Sequence, residues 1–143
     1  MKKLILLFAS IFVLSSCSTS TEEQDKKDIL AIMDMQQIAW SKYDLDGFMQ
    51  GYWKSDSLKF YGGNGVTLGW EKTLSNYKKS YPTPDYSGIL KFKINDISKI
   101  NDGAYFVMGA YHLTRNVGDA KGIFMIIFKK IEGEWKIIAD TSS

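Results

Sequence analysis

The sequence predicts an α+β fold in which three N-terminal helices pack on a curved antiparallel sheet. Apolar residues in the first half recur at steps of three and four, as on one face of a helix. In the second half, alternating segments are joined by short turns, which is typical of an antiparallel meander. The 143 residues, 45% hydrophobic and 24% charged, suit one globular domain and exclude a disordered, collagen-like or coiled-coil chain.

The first seventeen residues have the order of a secretory signal. Lys2 and Lys3 precede an apolar run, Leu4–Leu14, and small residues follow it. The run is shorter than the roughly 20 apolar residues that span a bilayer, and a buried N-terminal helix is the alternative. Removing this segment leaves 16 basic and 16 acidic residues, so no basic surface for nucleic acid is expected.

Cys17 is the only cysteine, so no internal disulfide is possible. The string Leu14–Cys17 resembles the lipobox of bacterial lipoproteins, which implies a multiply acylated Cys17. Stable anchoring takes more than one chain, and such a group meets that need. The resemblance places the protein in the bacterial cell envelope, anchored to a membrane on the periplasmic or cell-surface side. A free thiol or an intermolecular disulfide is the alternative. Residues 18–27 are polar and are predicted to form a tether, and residues 28–143 are predicted to form the folded domain.

Three helices are predicted before the meander. Asp44 is the expected N-cap of the second helix, because its side chain can accept from the free amides of the first turn. The third helix ends before Pro82, and the loop of residues 82–85 follows it. The predicted helices are Asp28–Lys42, Leu45–Tyr52 and Trp70–Tyr81.

Six strands are predicted, and two of them are apolar on both sides. A hairpin comes first, and four longer strands follow the third helix. A sheet with two apolar faces needs a second cover besides the helices, so we predict a homodimer packed through the sheet. The predicted strands are Ser57–Tyr61, Val66–Leu68, Gly88–Ile97, Ala104–Arg115, Gly122–Lys130 and Glu134–Thr141, of which the fourth and fifth are apolar on both sides.

The element order and four local strings resemble the NTF2-like, cystatin-like cone fold, and in particular its DUF4440 / SnoaL-like branch. The resemblance covers residues 28–143. It implies a pocket between the curved sheet and the helices, while the superfamily includes isomerases, dehydratases, cyclases and non-catalytic binding domains. The strings are residues 51–58, 69–74, 76–82 and 133–140.

Aromatic residues from the helices and the hairpin are the candidate pocket lining. Aromatic side chains accompanied by a few polar groups are typical of small-molecule binding sites. The alternative is that they simply fill the core, in which case no hollow of roughly 300 Å³ exists. The candidates are Trp40, Tyr43, Phe48, Tyr52, Trp53, Phe60, Trp70 and Tyr77, with His112 from the sheet.

His112 and Asp140 are the candidate catalytic residues. By strand parity His112 is placed on the helix-facing side, where it suits acid–base work or a structural hydrogen bond. In the last strand, parity puts Trp135, Ile137, Ala139 and Thr141 towards the helices and Asp140 outwards, unless a bulge reverses it. An aspartate beside tyrosines in an apolar cone would resemble the ketosteroid isomerase arrangement.

Ligand binding without turnover is the function that the sequence favours. Related sequences often carry histidine at the positions of Ile123 and Thr141, and no paired acid and base is evident. The alternative is an isomerase, lyase or hydrolase with His112 or Asp140 as base and Tyr52 or Tyr77 as donor. No cofactor is expected, and one histidine with a lipid-bearing cysteine cannot make a zinc site.

Overall fold

The computed structural model describes residues 21–143. The predicted signal segment, Cys17 and the first residues of the predicted tether lie outside the described residues. The elements are helices α1 (Glu22–Ser41), α2 (Leu45–Phe48), α3 (Trp70–Ser80) and α4 (Pro84–Ser87), a 3-10 turn (Met49–Gly51), and strands β1 (Lys59–Gly62), β2 (Gly65–Leu68), β3 (Ile89–Asn101), β4 (Ala104–Thr114), β5 (Ala120–Ile131) and β6 (Glu134–Ser142).

Helix α1 begins six residues earlier than the sequence pattern predicts. The Thr21 side chain caps it by accepting from the amide of Gln24 at 3.2 Å. Asp25 is buried and pairs with Lys130 of β5 at 3.2 Å. The predicted tether of residues 18–27 is therefore too long, because residues 22–27 are part of the folded unit. None of the helices between residues 21 and 143 has the length and apolarity needed to cross a membrane.

The other helices follow the prediction, with one addition. The Asp44 carboxylate accepts from the amide of Gly47 at 2.7 Å, which confirms the expected N-cap. The loop predicted at residues 82–85 instead contains the start of α4, a single helical turn with Pro84 in its first positions. Proline is tolerated there because the first amides of a helix have no intrahelical partner.

The six strands form one sheet in the order β2-β1-β6-β5-β4-β3. Strands β3 to β6 make the predicted antiparallel meander. Strand β1 lies parallel to β6, with Phe60 beside Asp140, so the sheet is mixed rather than wholly antiparallel. This pairing brings the hairpin against the last strand, although residues 69–133 separate them in sequence.

The core lies between the helices and one face of the sheet. Tyr105, Val107 and Phe128 of the middle strands are fully buried there, as are apolar residues of α1. The opposite face leaves Ile123 66% and Met125 43% exposed. The prediction that the middle strands are apolar on both faces is confirmed.

A β-bulge changes the parity of β6. Ile127 pairs with Ala139 and Phe128 pairs with Ile137, so Ile138 has no partner of its own. Trp135 and Ile137 face the helices as predicted, but beyond the bulge the side chains exchange faces.

Asp140 therefore points inwards and is 5% exposed. Ala139 and Thr141, predicted to face the helices, lie opposite Ile127 and Met125 on the outer face. Strict alternation fails here because the extra residue shifts every later side chain by one position.

Candidate functional site

A cavity of about 230 Å³ lies between the helices and the inner face of the sheet. It is far larger than the roughly 30 Å³ that one water occupies. Aromatic and aliphatic side chains make most of the wall. The lining residues are Met33, Gln36, Trp40, Phe48, Tyr52, Phe60, Gly62, Gly63, Tyr77, Tyr81, Leu90, Phe92, Tyr111, Leu113, Phe124, Ile126, Ile137, Asp140 and Ser142.

Trp40 organises the helical side of the cavity. Its ring meets Phe48, Tyr77 and Tyr81 edge-on, with centroids 4.7 to 5.6 Å apart. Such pairs each contribute about 0.5–1.5 kcal/mol beyond the burial of their area. The indole Nε1 donates to the carbonyl of Ser87 at 2.9 Å, so α4 holds the ring in place.

A polar cluster interrupts the apolar wall at one place. The hydroxyl of Tyr52 donates to Oδ2 of Asp140 at 2.6 Å, and that of Ser142 donates to Oδ1 at 2.6 Å. The Tyr77 hydroxyl lies close enough to Tyr52 to share a hydrogen bond with it.

Burial raises the pKa values of the three titratable residues of this cluster, Asp140, Tyr52 and Tyr77. Desolvation raises the pKa of the Asp140 carboxyl, and the hydroxyls of Ser142 and Tyr52 only partly oppose that rise by donating to it. Burial, with the nearby Asp140 charge, holds the pKa values of Tyr52 and Tyr77 well above the usual tyrosine range. The cluster thus keeps neutral hydroxyl groups beside a carboxyl that protonates more readily than an exposed aspartate.

The structure brings five of the eight predicted aromatic residues to the cavity wall, namely Trp40, Phe48, Tyr52, Phe60 and Tyr77. The other three lie outside the cavity wall, and two of them have a structural hydrogen bond. The indole of Trp70 donates to the carbonyl of Met49 at 2.9 Å, and the hydroxyl of Tyr43 donates to the backbone carbonyl of Tyr81 at 3.1 Å. Trp53 is half-buried, and its backbone amide bonds to β6.

His112 does not face the helices, so its predicted place in the pocket is wrong. It pairs with Lys121 of β5 on the outer face, and its side chain is 53% exposed. Its Nε2 lies 3.1 Å from a carboxylate oxygen of Asp119. A hydrogen bond from the Arg115 amide, together with His112, lowers the pKa of Asp119. The error came from assigning the wrong face of β4 to the core, since Tyr105 and Val107, not Phe106, are the fully buried residues.

Sequence patterns did not indicate several lining residues. Gln36 lies among the buried residues of α1 and donates to the carbonyl of Phe48 at 3.1 Å. Ser142 follows the bulge, so its direction depends on the same change of parity as that of Asp140. Tyr111 and Leu113 lie on the core face of β4, which the correct parity of that strand would have indicated.

The chemistry available in the cavity is that of one carboxyl and several hydroxyl groups. Asp140 is the only lining residue with a carboxyl, an imidazole or an amine. Between residues 21 and 143, no group of three or more His, Cys, Asp or Glu side chains could hold a metal ion. The arrangement suits hydrogen bonding to a neutral ligand, or proton transfer through Asp140.

Asp140→Asn is expected to remove a pH-dependent destabilisation. A buried carboxyl with a raised pKa binds more protons in the native than in the unfolded state, so stability falls as pH rises above the ordinary value of 3.8. Urea unfolding between about pH 3 and pH 7 should show this fall in the wild type and less of it in the variant. Asp102→Asn, at a 99% exposed side chain, is the control. Parallel curves for the wild type and Asp140→Asn would contradict the assignment.

Comparison with known proteins places the chain in a superfamily. No family model and no curated protein matches it. Among solved structures, an NTF-2 like protein of unknown function from Shewanella oneidensis MR-1 is 36% identical, covers 83% of this chain and 98% of its own, and superposes with a TM-score of 0.80.

Two more distant structures are similar in fold alone. An NTF2-like superfamily protein from Salmonella enterica is 16% identical, with coverage of 86% and 92% and a TM-score of 0.70. A ketosteroid isomerase-like protein from Erwinia carotovora atroseptica is 16% identical, with coverage of 82% and 93% and a TM-score of 0.64. The predicted cone fold is confirmed, and the chain belongs to the NTF2-like superfamily.

Proposed function

We propose that the cavity binds a small, largely apolar ligand that carries one hydrogen-bonding group, and that it does so without turnover. The observation that carries this proposal is the Asp140–Tyr52 pair, with the two oxygens 2.6 Å apart, in a wall made mostly of aromatic and aliphatic side chains. Binding sites of this kind are mostly apolar and use a few convergent polar groups to orient the ligand.

The position of the polar cluster favours recognition of a neutral group. A carbonyl or hydroxyl of the ligand could accept from or donate to the tyrosine hydroxyls without adding a charge to the cavity. A ligand anion beside Asp140 would be repelled by the carboxylate, and this repulsion is strong in a region of low dielectric constant. The lining residues offer Asp140 only tyrosine hydroxyls as acid–base partners, and burial holds the pKa values of Tyr52 and Tyr77 well above the usual tyrosine range, which supports binding over chemistry.

Filling the cavity is expected to abolish binding of an apolar probe. Leu113 lines the cavity and His112, its neighbour in β4, lies on the outer face. Leu113→Trp should reduce the affinity for decan-1-ol at least tenfold, because the added ring occupies the space of the ligand. His112→Trp adds the same ring outside and should leave affinity unchanged. Calorimetric titration of the purified protein measures both, and equal affinities in the two variants would refute the site.

A second candidate is proton transfer catalysed by Asp140, as in an isomerase or lyase. The raised pKa of this carboxyl beside tyrosine hydroxyls favours it, since a general base works best with a pKa near the operating pH. The similarity to a ketosteroid isomerase-like protein supports the same reading. His112, on the outer face, has no part in this candidate. Conversion of a bound ligand by the wild type but not by Asp140→Asn would establish it.

We also propose that the chain belongs to the DUF4440 / SnoaL-like branch and is anchored to a bacterial envelope membrane through acylated Cys17. Two of the strings behind the branch assignment, residues 51–58 and 133–140, contain Tyr52 and Asp140. The anchor rests on the apolar run and the string Leu14–Cys17. Residue 21 is the N-cap of α1, so few residues would separate the lipid from the domain.

Metabolic labelling with a palmitate analogue tests the anchor. The full chain, expressed in a bacterial host, should incorporate the label and sediment with membranes. Cys17→Ser should lose the label and move to the soluble fraction, because no acyl chain remains to be buried in the bilayer. Equal labelling of the two chains, or none in either, would contradict acylation at Cys17.

The outer face of the sheet supports the proposal of a homodimer. Met108 pairs with Met125 and Ala110 with Ile123, so apolar side chains are adjacent across β4 and β5. Three of them are 40% to 66% exposed in the single chain. A contiguous apolar surface of this kind is typical of an interface between proteins.

Met125→Lys is expected to convert the dimer to a monomer, because it would bury two unpaired charges at the interface. Met35→Lys makes the same change on α1, where the side chain is 60% exposed, and should leave the dimer intact. Analytical ultracentrifugation at micromolar concentration measures both. A monomeric wild type would contradict the dimer.

A further inference from the structure

A second cavity of about 380 Å³ adjoins the first and opens between the β1–β2 hairpin and α3. The two cavities share part of their wall, so they lie side by side as an inner and an outer part. We call the second one the outer groove. The shared residues are Phe60, Gly62, Gly63, Tyr77 and Tyr81.

The outer groove differs from the inner cavity in its chemistry. Amide, hydroxyl and ammonium groups line it, and none of its lining residues has a carboxylate. Asn76 donates to the hydroxyl of Thr67 at 3.2 Å, which ties α3 to β2 across the groove. The lining residues outside the shared wall are Asn64, Gly65, Thr67, Thr73, Asn76, Lys79 and Ser80.

Lys79 gives the outer groove its charge. Its neighbour Lys78 pairs with Asp46 at 2.8 Å, whereas Lys79 has no ion pair with any residue in the range 21–143. Lys79 is therefore a cation at the wall of the groove with no carboxylate to neutralise it there.

The boundary between the two parts is open to an elongated ligand. Phe60 and Tyr77 meet edge-on with centroids 5.8 Å apart, and beside them Gly62 and Gly63 present no side chain. A Cβ placed at Gly63 would have no atom within 4 Å, whereas one at Gly62 would lie 3.0 Å from the Phe60 ring, so the open space at the boundary lies beside Gly63. The φ of Gly63 lies outside the left-handed region, so the backbone does not require glycine at this position. The absence of a side chain is what leaves the space free for a ligand.

We propose that the ligand is an amphiphile with a single anionic end. Its largely apolar body, with the neutral hydrogen-bonding group that meets Tyr52 and Asp140, fills the inner cavity, and its anion lies in the outer groove beside Lys79. This inference rests on the proposed binding function and adds the class and orientation of the ligand. Asp140 disfavours an anion at the inner end and Lys79 favours one at the outer end. Both charges therefore favour the same orientation of the bound ligand.

Decanoate and decan-1-ol are the probes, because they share an alkyl chain and differ in the charge of the head. Lys79→Glu should weaken decanoate binding roughly fivefold at low salt, because reversing one exposed charge changes a binding free energy only modestly. The affinity for decan-1-ol should stay the same, because this probe has no charge. Lys79→Gln should give a smaller loss. Lys72→Glu makes the same reversal on an exposed residue of α3 outside the groove and is the matched control. Added salt should reduce the preference for decanoate in the wild type.

The outcomes separate this inference from the function on which it rests. If Lys79→Glu and Lys72→Glu bind decanoate equally well while Leu113→Trp loses both probes, the anionic end is refuted and the inner cavity stands. If Leu113→Trp binds both probes as the wild type does, or the wild type binds neither, both proposals fall. A loss of decanoate alone in Lys79→Glu, with Lys72→Glu unaffected, supports the inference.

Discussion

The burial of the Asp140 carboxyl is the constraint on which the site depends. An ionised carboxylate among rings is costly, and the structure offsets part of that cost with the hydroxyls of Tyr52 and Ser142. Tyr52 belongs to the segment after the 3-10 turn and Ser142 to the end of β6. The carboxyl therefore links the helical layer to the sheet, and its partners are fixed in place before any ligand arrives.

The bulge at Ile138 makes this arrangement possible. Without the extra residue, Asp140 would lie on the outer face, among the methionines and isoleucines that are exposed in the single chain. One inserted position thus assigns the carboxyl to the cavity and leaves Ala139 and Thr141 to the apolar outer surface. The same irregularity supplies polarity to the pocket and removes a charge from the proposed interface.

The sequence was sufficient for the fold because the fold depends on periodicity. The apolar periodicity of α1, the Asp44 cap and the short turn between β3 and β4, at Asp102 and Gly103, are local signals, and each is present in the structure. The site depends instead on which face each strand presents. A strand apolar on both sides, such as β4, gives no local indication of its buried face, and so His112 was assigned to the wrong one.

Other features of the site were beyond local reasoning for a different reason. The bulge in β6 arises from its pairing with β5, and the parallel contact of β1 with β6 joins distant segments. The start of α1 depends in part on Asp25, whose partner Lys130 lies in β5. The aromatic residues were recognised as a set, but only the packed structure distinguishes Trp40 and Tyr77, which face the hollow, from Trp70, which does not.

Tyr52 and Asp140 are 88 positions apart in the chain. The pair therefore cannot form until β6, the last strand, has joined the sheet. Closing so long a loop is entropically costly. A polypeptide that ended before β6 would lack both Asp140 and Ser142, and so both the carboxyl and one of the two hydroxyls that donate to it.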